Sequence, residues 1–141
     1  MRKIMRGFLH MVLAVSCVVV VFAYSRPVVA EEPGTGKVQL RRFLLSAGAN
    51  FGGADRVRLL YAGTDATAFA RVLGELGGVA PNDRILLEDP SRKELKKGFL
   101  TLKTRLESAQ ASGVRLEVVF YYSGHSDEKG LLLNGEMYTY K

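Results

Sequence analysis

The stretch RLEVVFYYSGH, residues 115–125, decides the fold of this chain. β-Branched and aromatic side chains dominate its first eight residues, and this composition predicts a buried strand over Arg115–Tyr122. Ser123 and Gly124 are residues typical of turns, so the strand is expected to end there. The stretch therefore predicts a strand that delivers His125 to the edge of a sheet.

Two apolar runs upstream predict the other strands of that sheet. They are RFLLSAGA at 42–49 and RILLE at 84–88, and a glycine-containing loop over 50–58 follows the first. With helical patterns between them, the order is strand, helix, strand, helix, strand. This order predicts an α/β fold with a parallel sheet, right-handed crossovers and helices on its faces. The first and third strands are the more apolar, and we expect them to be inner strands.

Both intervening segments carry helical periodicity. In the first, Thr64 is a candidate N-cap, and Gly77-Gly78 is expected to end the helix. In the second, Ser91 and Glu94 fit a capping box, and Gly113 is expected to end the helix. The apolar stripes expected to face the sheet are Phe69, Val72, Leu73 and Leu76 in the first helix and Leu95, Phe99, Leu102 and Leu106 in the second.

A hairpin is predicted after the third strand. Leu131–Leu133 and Met137-Tyr138 are apolar and flank Asn134-Gly135. Asn-Gly is the strongest short hairpin pattern, because both residues tolerate positive φ. We expect this hairpin beyond the edge of the sheet.

The N-terminal segment has the pattern of a secretory signal peptide. Arg2, Lys3 and Arg6 precede an apolar run over Phe8–Tyr24, and Val28-Val29-Ala30 then offers small residues at the positions that a signal peptidase reads. This order predicts export, with cleavage after Ala30 and a periplasmic or extracellular mature protein. Residues 1–30 are then the signal peptide, 31–40 a polar linker, and 41–141 the single mature domain.

An uncleaved membrane anchor is the alternative for this segment. A span takes about 20 apolar residues, and the run is only slightly shorter. A lipoprotein site at Cys17 is disfavoured, because the run continues through Val18–Ala23.

The charge of the mature part argues against nucleic-acid binding. The whole chain carries 20 basic and 14 acidic residues, but residues 1–30 hold four basic and no acidic residues, which leaves +2. Nucleic-acid binding favours a clustered basic face. The densest basic group, Arg92, Lys93, Lys96 and Lys97, has helical spacing and is interpreted as a solvated helix face.

Neither a metal nor a nucleotide cofactor is expected. Cys17 is the only cysteine and lies in the predicted signal peptide, so the mature part has no disulfide and no thiolate ligand. One mature histidine leaves only carboxylates as further metal ligands. Gly48, Gly52 and Gly53 follow the first strand, but their spacing does not match a dinucleotide-binding motif, so a nucleotide-binding α/β domain is a disfavoured alternative.

Tyr121–His125 resembles the strand-end motif of caspase-like and metacaspase-like peptidases, in which Ser-Gly-His follows a hydrophobic strand. Residues 43–50 are similar to the first strand of that family and its loop, and Asp65-Ala66 with the apolar stripe to Leu76 is similar to its first helix. Ile85–Leu87 and the helix from Ser91 match the next pair. The resemblance covers 41–141, although only Ser-Gly-His is specific, and it implies the N-terminal portion of a three-layer caspase-like fold.

This resemblance implies a Cys–His dyad that hydrolyses a polypeptide substrate. His125 would be the acid and base, chiefly protonating the leaving amine, and the backbone N–H of Ser126 would donate to the oxyanion. The family usually has glycine at that position, and serine resists positive φ. The cysteine is expected about 50 residues after the histidine, beyond Lys141.

The chain is therefore expected to be inactive alone, and Cys17 is no substitute because it precedes the first strand. A non-catalytic caspase-like binding module is the other alternative. A histidine after a strand is, in general, more often a surface or loop residue than a catalytic base. Asp55 and Asp65 are interpreted as loop and helix-cap residues without a role in substrate binding.

Overall fold

The computed structural model describes residues 18–23, 39–111 and 113–140 of the chain. Two helices and three parallel strands alternate along it, which confirms the predicted α/β order. The strands are β1 (Val18–Ala23), β2 (Leu40–Gly48), β3 (Val79–Glu88), β4 (Arg115–Ser123), β5 (Gly130–Leu133) and β6 (Glu136–Thr139), and the helices are α1 (Ala62–Glu75) and α2 (Arg92–Gln110). None of the described helices is long and apolar enough to cross a membrane.

The main sheet has the strand order β1-β4-β2-β3. β2 pairs in parallel with β4 without a shift in register, from Leu40 opposite Arg115 to Gly48 opposite Ser123. β3 lies parallel on the other side of β2, and its register is irregular only near the start of the pairing. The three parallel strands therefore end at one edge of the sheet, where ligands bind in open α/β folds.

The two helices cover opposite faces of β2. Phe43 and Leu45 pack with α2 in the larger core cluster, whereas Leu44 packs with α1 in the smaller one. All side chains from Phe43 to Ala47 are 0% exposed, which confirms that β2 is an inner strand. Burying one leucine-sized side chain contributes about 1.5–3 kcal/mol, so this strand accounts for much of the core.

Ion pairs stabilise the opposite, amino edge of the sheet. Asp83 is 3% exposed, and the Arg41 guanidinium donates to both of its oxygens at 2.7 Å. Arg42 donates to Glu117 at 2.7 Å and to the Gly77 carbonyl. A buried carboxylate is costly unless it is paired. Arg41 and Arg42 therefore compensate the charges of Asp83 and Glu117, which lie far from the carboxyl edge of the sheet.

The predicted N-cap of α1 is wrong. The helix begins at Ala62, and its N-cap residue, Tyr61, makes no side-chain cap. Thr64 instead donates its hydroxyl to the Tyr61 carbonyl at 2.8 Å. The N–H of Ala62 is satisfied by the side-chain oxygen of Asn50 at 2.9 Å, so the helix start is held from a loop twelve positions earlier.

The predicted apolar stripe of α1 is half wrong. Phe69 and Leu73 pack against the core, but Val72 is 44% and Leu76 84% exposed. Small residues form the buried face instead, because the helix backbone approaches β2 closely: a Cβ at Gly48 would lie 2.1 Å from the Ala62 carbonyl oxygen. The buried residues of α1 are Ala62, Gly63, Ala66 and Ala70.

The structure confirms the capping box of α2. The N–H of Glu94 donates to the Ser91 hydroxyl, and the N–H of Ser91 donates to the Glu94 carboxylate at 2.8 Å. These bonds from Ser91 lower the pKa of Glu94 below its usual 4.5. The capping interaction is thus complete above pH 4.5 and is lost as the pH falls through the lowered value.

The rest of α2 also matches its prediction. Leu95 and Leu102 are buried, Phe99 and Leu106 pack against the same core, and the helix ends at Gln110, shortly before Gly113. The basic group at the start of the helix is exposed, as expected for a solvated face.

The predicted hairpin is present as β5 and β6. Asn134 and Gly135 join the strands with φ of 50° and 83°, as the Asn-Gly pattern requires. The N–H of Asn134 donates to the Phe51 carbonyl at 2.9 Å, so the hairpin turn lies against the loop that follows β2.

β1 lies inside the predicted signal peptide. Its backbone pairs antiparallel with β4, from Val18 opposite Tyr122 to Ala23 opposite Glu117. The remainder of the predicted signal peptide and residues 31–38 of the predicted linker lie outside the described residues, and Leu40 already belongs to β2. Cleavage after Ala30 stays a prediction, and it would remove β1 from the outer edge of β4.

We expect Gly48→Ala to destabilise the chain by about 3 kcal/mol or more, because its methyl group would collide with backbone rather than with a movable side chain. Gly63→Ala is the matched control: its Cβ would meet only the Asn50 side chain, at 3.5 Å. Alanine in a helix gains up to about 1 kcal/mol over glycine, so this variant should be neutral or more stable. Urea unfolding of both variants measures the difference, and equal effects would contradict the close approach of α1.

We expect a disulfide between β1 and β4 in Val20→Cys/Phe120→Cys with Cys17→Ser. These two residues are Cα partners, and opposed residues of antiparallel strands have Cα atoms about 4.5–5.5 Å apart, within the range of a disulfide. Val20→Cys/Glu117→Cys is the control, since Glu117 pairs with Ala23 instead. Mass spectrometry of the oxidised, folded chain measures the fraction of each variant that forms the disulfide. Equal fractions in both variants would show that β1 is not held in this register.

Candidate active site at the carboxyl edge

His125 lies at the carboxyl edge of the sheet, where the sequence predicts it. It follows β4 by two residues, and the ends of the three parallel strands are tied together around it. The N–H of Ala49 donates to the Ser123 carbonyl at 2.9 Å, and the N–H of Asp89 donates to the Gly48 carbonyl at 2.7 Å. The backbone that carries the histidine is therefore part of the sheet framework.

The imidazole is covered by the loop that joins β2 to α1. His125 is only 7% exposed. A Cβ at Gly52 would lie 2.5 Å from the ring carbon Cδ2, so the ring packs directly on the glycine backbone. This histidine is thus held in place, unlike the surface residue that a histidine after a strand usually is.

A backbone carbonyl orients the imidazole. Nε2 lies 2.7 Å from the carbonyl oxygen of Val57, and a carbonyl oxygen only accepts, so Nε2 carries the proton. Nδ1 has no hydrogen-bond partner among the described residues. Since no buried side-chain nitrogen or oxygen in that part of the chain lacks a partner, Nδ1 reaches solvent. The nitrogen available for proton transfer is therefore Nδ1.

Asn50 fixes the covering loop. Its N–H donates to the Asp89 carboxylate at 2.6 Å, its side chain caps Ala62, and its carbonyl accepts from the N–H of Leu59 at 2.8 Å. Asp89 has a φ of 44°, which is unusual for a residue with a side chain and is common at functional sites. Sequence reasoning missed Asn50, Asp89 and Val57, because each acts across a long stretch of chain.

Tyr122 lies beneath the turn over residues 123–125, which we call the histidine turn. Its hydroxyl oxygen is 2.8 Å from the Leu132 carbonyl and 3.2 Å from the His125 carbonyl. Burial, and then the nearby Tyr140, raise the pKa of this hydroxyl well above its usual value of 10.0. A Cβ at Gly124 would lie 2.3 Å from the hydroxyl oxygen, so the turn is closed tightly around it.

The backbone N–H of Ser126 remains available as a donor to an oxyanion. Ser126 bridges to Leu131, but the hydrogen bonds of this bridge use the His125 carbonyl, at 2.9 Å, and the Asp127 N–H, at 3.0 Å. In such a widely spaced pair, the N–H of the central residue points away from the partner strand. Ser126 is not among the non-glycine residues with positive φ in the described part, so the geometry accepts serine here.

The two aspartates considered for substrate binding lie apart. Asp55 is exposed on the covering loop. Asp65 lies in the first turn of α1, and its carboxylate accepts from the Ser123 hydroxyl at 3.3 Å. The described residues contain no cluster of three or more potential metal ligands, and no cysteine occurs after Cys17. The groups that remain as candidates at this edge are the His125 imidazole and the Ser126 N–H.

The glycines at the end of β2 and in the loop after it have steric roles. Gly48 admits the start of α1, and Gly52 admits the imidazole. The space beside each is filled by protein atoms.

We expect the neutral imidazole of His125 to be the Nε2–H tautomer, because only that form can donate to Val57. Nitrogen-15 NMR of the full chain measures the two ring nitrogens separately, and His10→Gln assigns the only other histidine. Gly52→Ala should disturb the tautomer by pushing on the ring. A wild-type imidazole with the proton on Nδ1, or an even mixture, would contradict the Val57 hydrogen bond.

Comparison with known proteins identifies no relative of this chain. No protein family matches it, and no curated protein and no solved structure matches it.

Proposed function

We propose that this chain is the N-terminal, histidine-bearing portion of a caspase-like cysteine endopeptidase domain. The observation that supports this most directly is the state of His125. Its Nε2 is bound to the Val57 carbonyl at 2.7 Å, while Nδ1 faces solvent at the carboxyl edge of a parallel sheet. An oriented imidazole with one open nitrogen is what a general acid and base requires.

In this proposal a cysteine thiolate attacks the carbonyl carbon of the scissile peptide bond. The protonated imidazole then gives the proton on Nδ1 to the leaving amine, and the acyl-enzyme forms. In the second half of the reaction Nδ1 takes a proton from water, which attacks the acyl carbon and releases the thiolate. Val57 keeps Nε2 as a donor throughout, and its hydrogen bond strengthens when the ring becomes charged.

The surroundings of His125 support the same assignment. Ser126 follows at once and has an N–H that the bridge to Leu131 does not use, so it can donate to the oxyanion of the tetrahedral intermediate. The three parallel strands with helices on both faces agree with the coarse architecture that the family resemblance implies. Cofactor chemistry is not needed for this reaction.

A second candidate function is a non-catalytic caspase-like binding module. The observation that favours it is that Cys17 is the only cysteine of the chain and lies in the predicted signal peptide. A domain that keeps the site geometry without a thiol could still hold a polypeptide. The two candidates differ in whether the complete protein supplies a cysteine about 50 residues after His125.

We expect the complete protein to cleave peptides and His125→Ala to lower kcat/KM by about 10²–10⁴-fold, the usual contribution of a general acid and base. The gene is sequenced past the codon for Lys141, and the encoded protein is assayed with fluorogenic peptides. Asp55→Asn is the control, because Asp55 is exposed on the loop and forms no hydrogen bond or ion pair with the described residues. A reading frame without the cysteine, or full activity of His125→Ala, would leave the binding module as the better proposal.

We expect the 141-residue chain alone to show no peptidase activity. Because Cys17 immediately precedes Val18, whose backbone pairs with Tyr122, Cys17→Ser has to be assayed beside it. Cleavage that is abolished by Cys17→Ser and by thiol-alkylating reagents would show that the nucleophile is already in this chain.

A further inference from the structure

Tyr121 and Tyr122 lie next to each other on β4 but have different surroundings. Tyr121 stacks on Phe69 of α1, with ring centroids 4.2 Å apart. Tyr122 points to the opposite face, where it is 0% exposed and belongs to the core cluster of α2. Packing alone would be served as well by phenylalanine, so the buried hydroxyl of Tyr122 requires its own explanation.

That hydroxyl joins the chain on both sides of the histidine turn. The hydroxyl has one proton to donate, and the nearer acceptor is the Leu132 carbonyl at 2.8 Å. The His125 carbonyl lies 3.2 Å away. The N–H of Leu132 in turn donates to the His125 carbonyl at 2.9 Å. The hydroxyl and these two residues form a closed set of contacts that ties the end of β4 to β5.

The turn itself is shaped around the hydroxyl. Gly124 is the residue between β4 and His125, and any side chain there would meet the Tyr122 oxygen at 2.3 Å. The main chain therefore passes directly over the hydroxyl on its way to the imidazole. Removing this oxygen would let the His125 carbonyl shift. The Cα of His125, which is bonded to that carbonyl, would shift with it and carry the imidazole along.

We propose that Tyr122 is a positioning residue that sets the main chain of His125, so that Nε2 reaches the Val57 carbonyl and Nδ1 stays open. The role of Tyr122 in catalysis rests on the proposed function, whereas its role in positioning the imidazole does not. Burial keeps the hydroxyl protonated well beyond neutral pH, so it remains a hydrogen-bond donor at neutral pH.

The test compares Tyr122→Phe with Tyr121→Phe in the full chain. Both remove one hydroxyl from the same strand, but Tyr122 contacts the histidine turn, whereas Tyr121 lies on the opposite face of the strand against Phe69. In Tyr122→Phe we expect a mixed His125 tautomer in nitrogen-15 NMR and about tenfold faster solvent exchange of the Nε2 proton, since the Leu132 carbonyl loses its partner. In Tyr121→Phe both signals should match wild type.

A purely structural role gives a different result. If Tyr122→Phe lowers the melting temperature but leaves the His125 tautomer and proton exchange unchanged, the proposal is wrong. Gly124→Ala provides a second variant that keeps the hydroxyl and displaces the turn, and it should disturb the same two signals. Unchanged signals in that variant would also count against positioning by this contact.

The failure of this proposal can be told apart from failure of the proposed function. The NMR signals need no cysteine and no substrate, so they test Tyr122 even if the complete protein cleaves nothing. If the complete protein is active, Tyr122→Phe should lower kcat about tenfold with KM unchanged, because the hydroxyl acts on the imidazole rather than on the peptide. If the complete protein is active and Tyr122→Phe has a normal kcat, the positioning role is wrong but the proposed function stands.

Discussion

The parallel pairing of β2 with β4 is the constraint on which the site depends. The register runs without a break to Gly48 opposite Ser123, so both strands end at the same level. The chain leaving β2 and the chain leaving β4 then emerge side by side. This is why a loop that starts at Asn50 can cover a histidine 75 positions later in the sequence, and why neither strand alone would form the site.

Close packing then fixes the positions of the two chain segments that leave β2 and β4. Gly48, Gly52 and Gly124 each lack a side chain where protein atoms already fill the space: the Ala62 carbonyl, the imidazole and the Tyr122 hydroxyl. None of the three needs glycine for a positive φ, since their φ values are ordinary. The glycines around the edge are thus explained by contact distances, and the imidazole has little freedom to rotate.

Features encoded by neighbouring residues could be predicted from the sequence. The β-branched strand, the Ser91–Glu94 capping box and the Asn134-Gly135 turn are local, and the structure confirms each of them. The position of His125 at the carboxyl edge also followed, because it needed only the order of the strands. The expectation that α1 uses its large apolar residues failed, because a helix that approaches the sheet this closely buries alanine and glycine instead.

The parts of the site that could not be predicted act over long range or through backbone atoms. Asn50 caps a helix that starts twelve positions later, whereas a sequence pattern marks only local cap candidates such as Thr64. Val57 acts through its carbonyl, which every residue possesses, and no side-chain pattern could mark it. Tyr122 was visible as a strand residue, but its contact with the histidine turn depends on β5 lying against it.

The structure and the sequence prediction place Val18–Ala23 in two incompatible environments. As β1 it covers the backbone of β4 between Glu117 and Tyr122; as an export signal it would leave the domain. An uncovered β4 would expose a row of unpaired N–H and C=O groups on an apolar strand, and such edges pair readily with other strands. If the proposed function holds, the chain that carries the cysteine must also approach Nδ1 of His125.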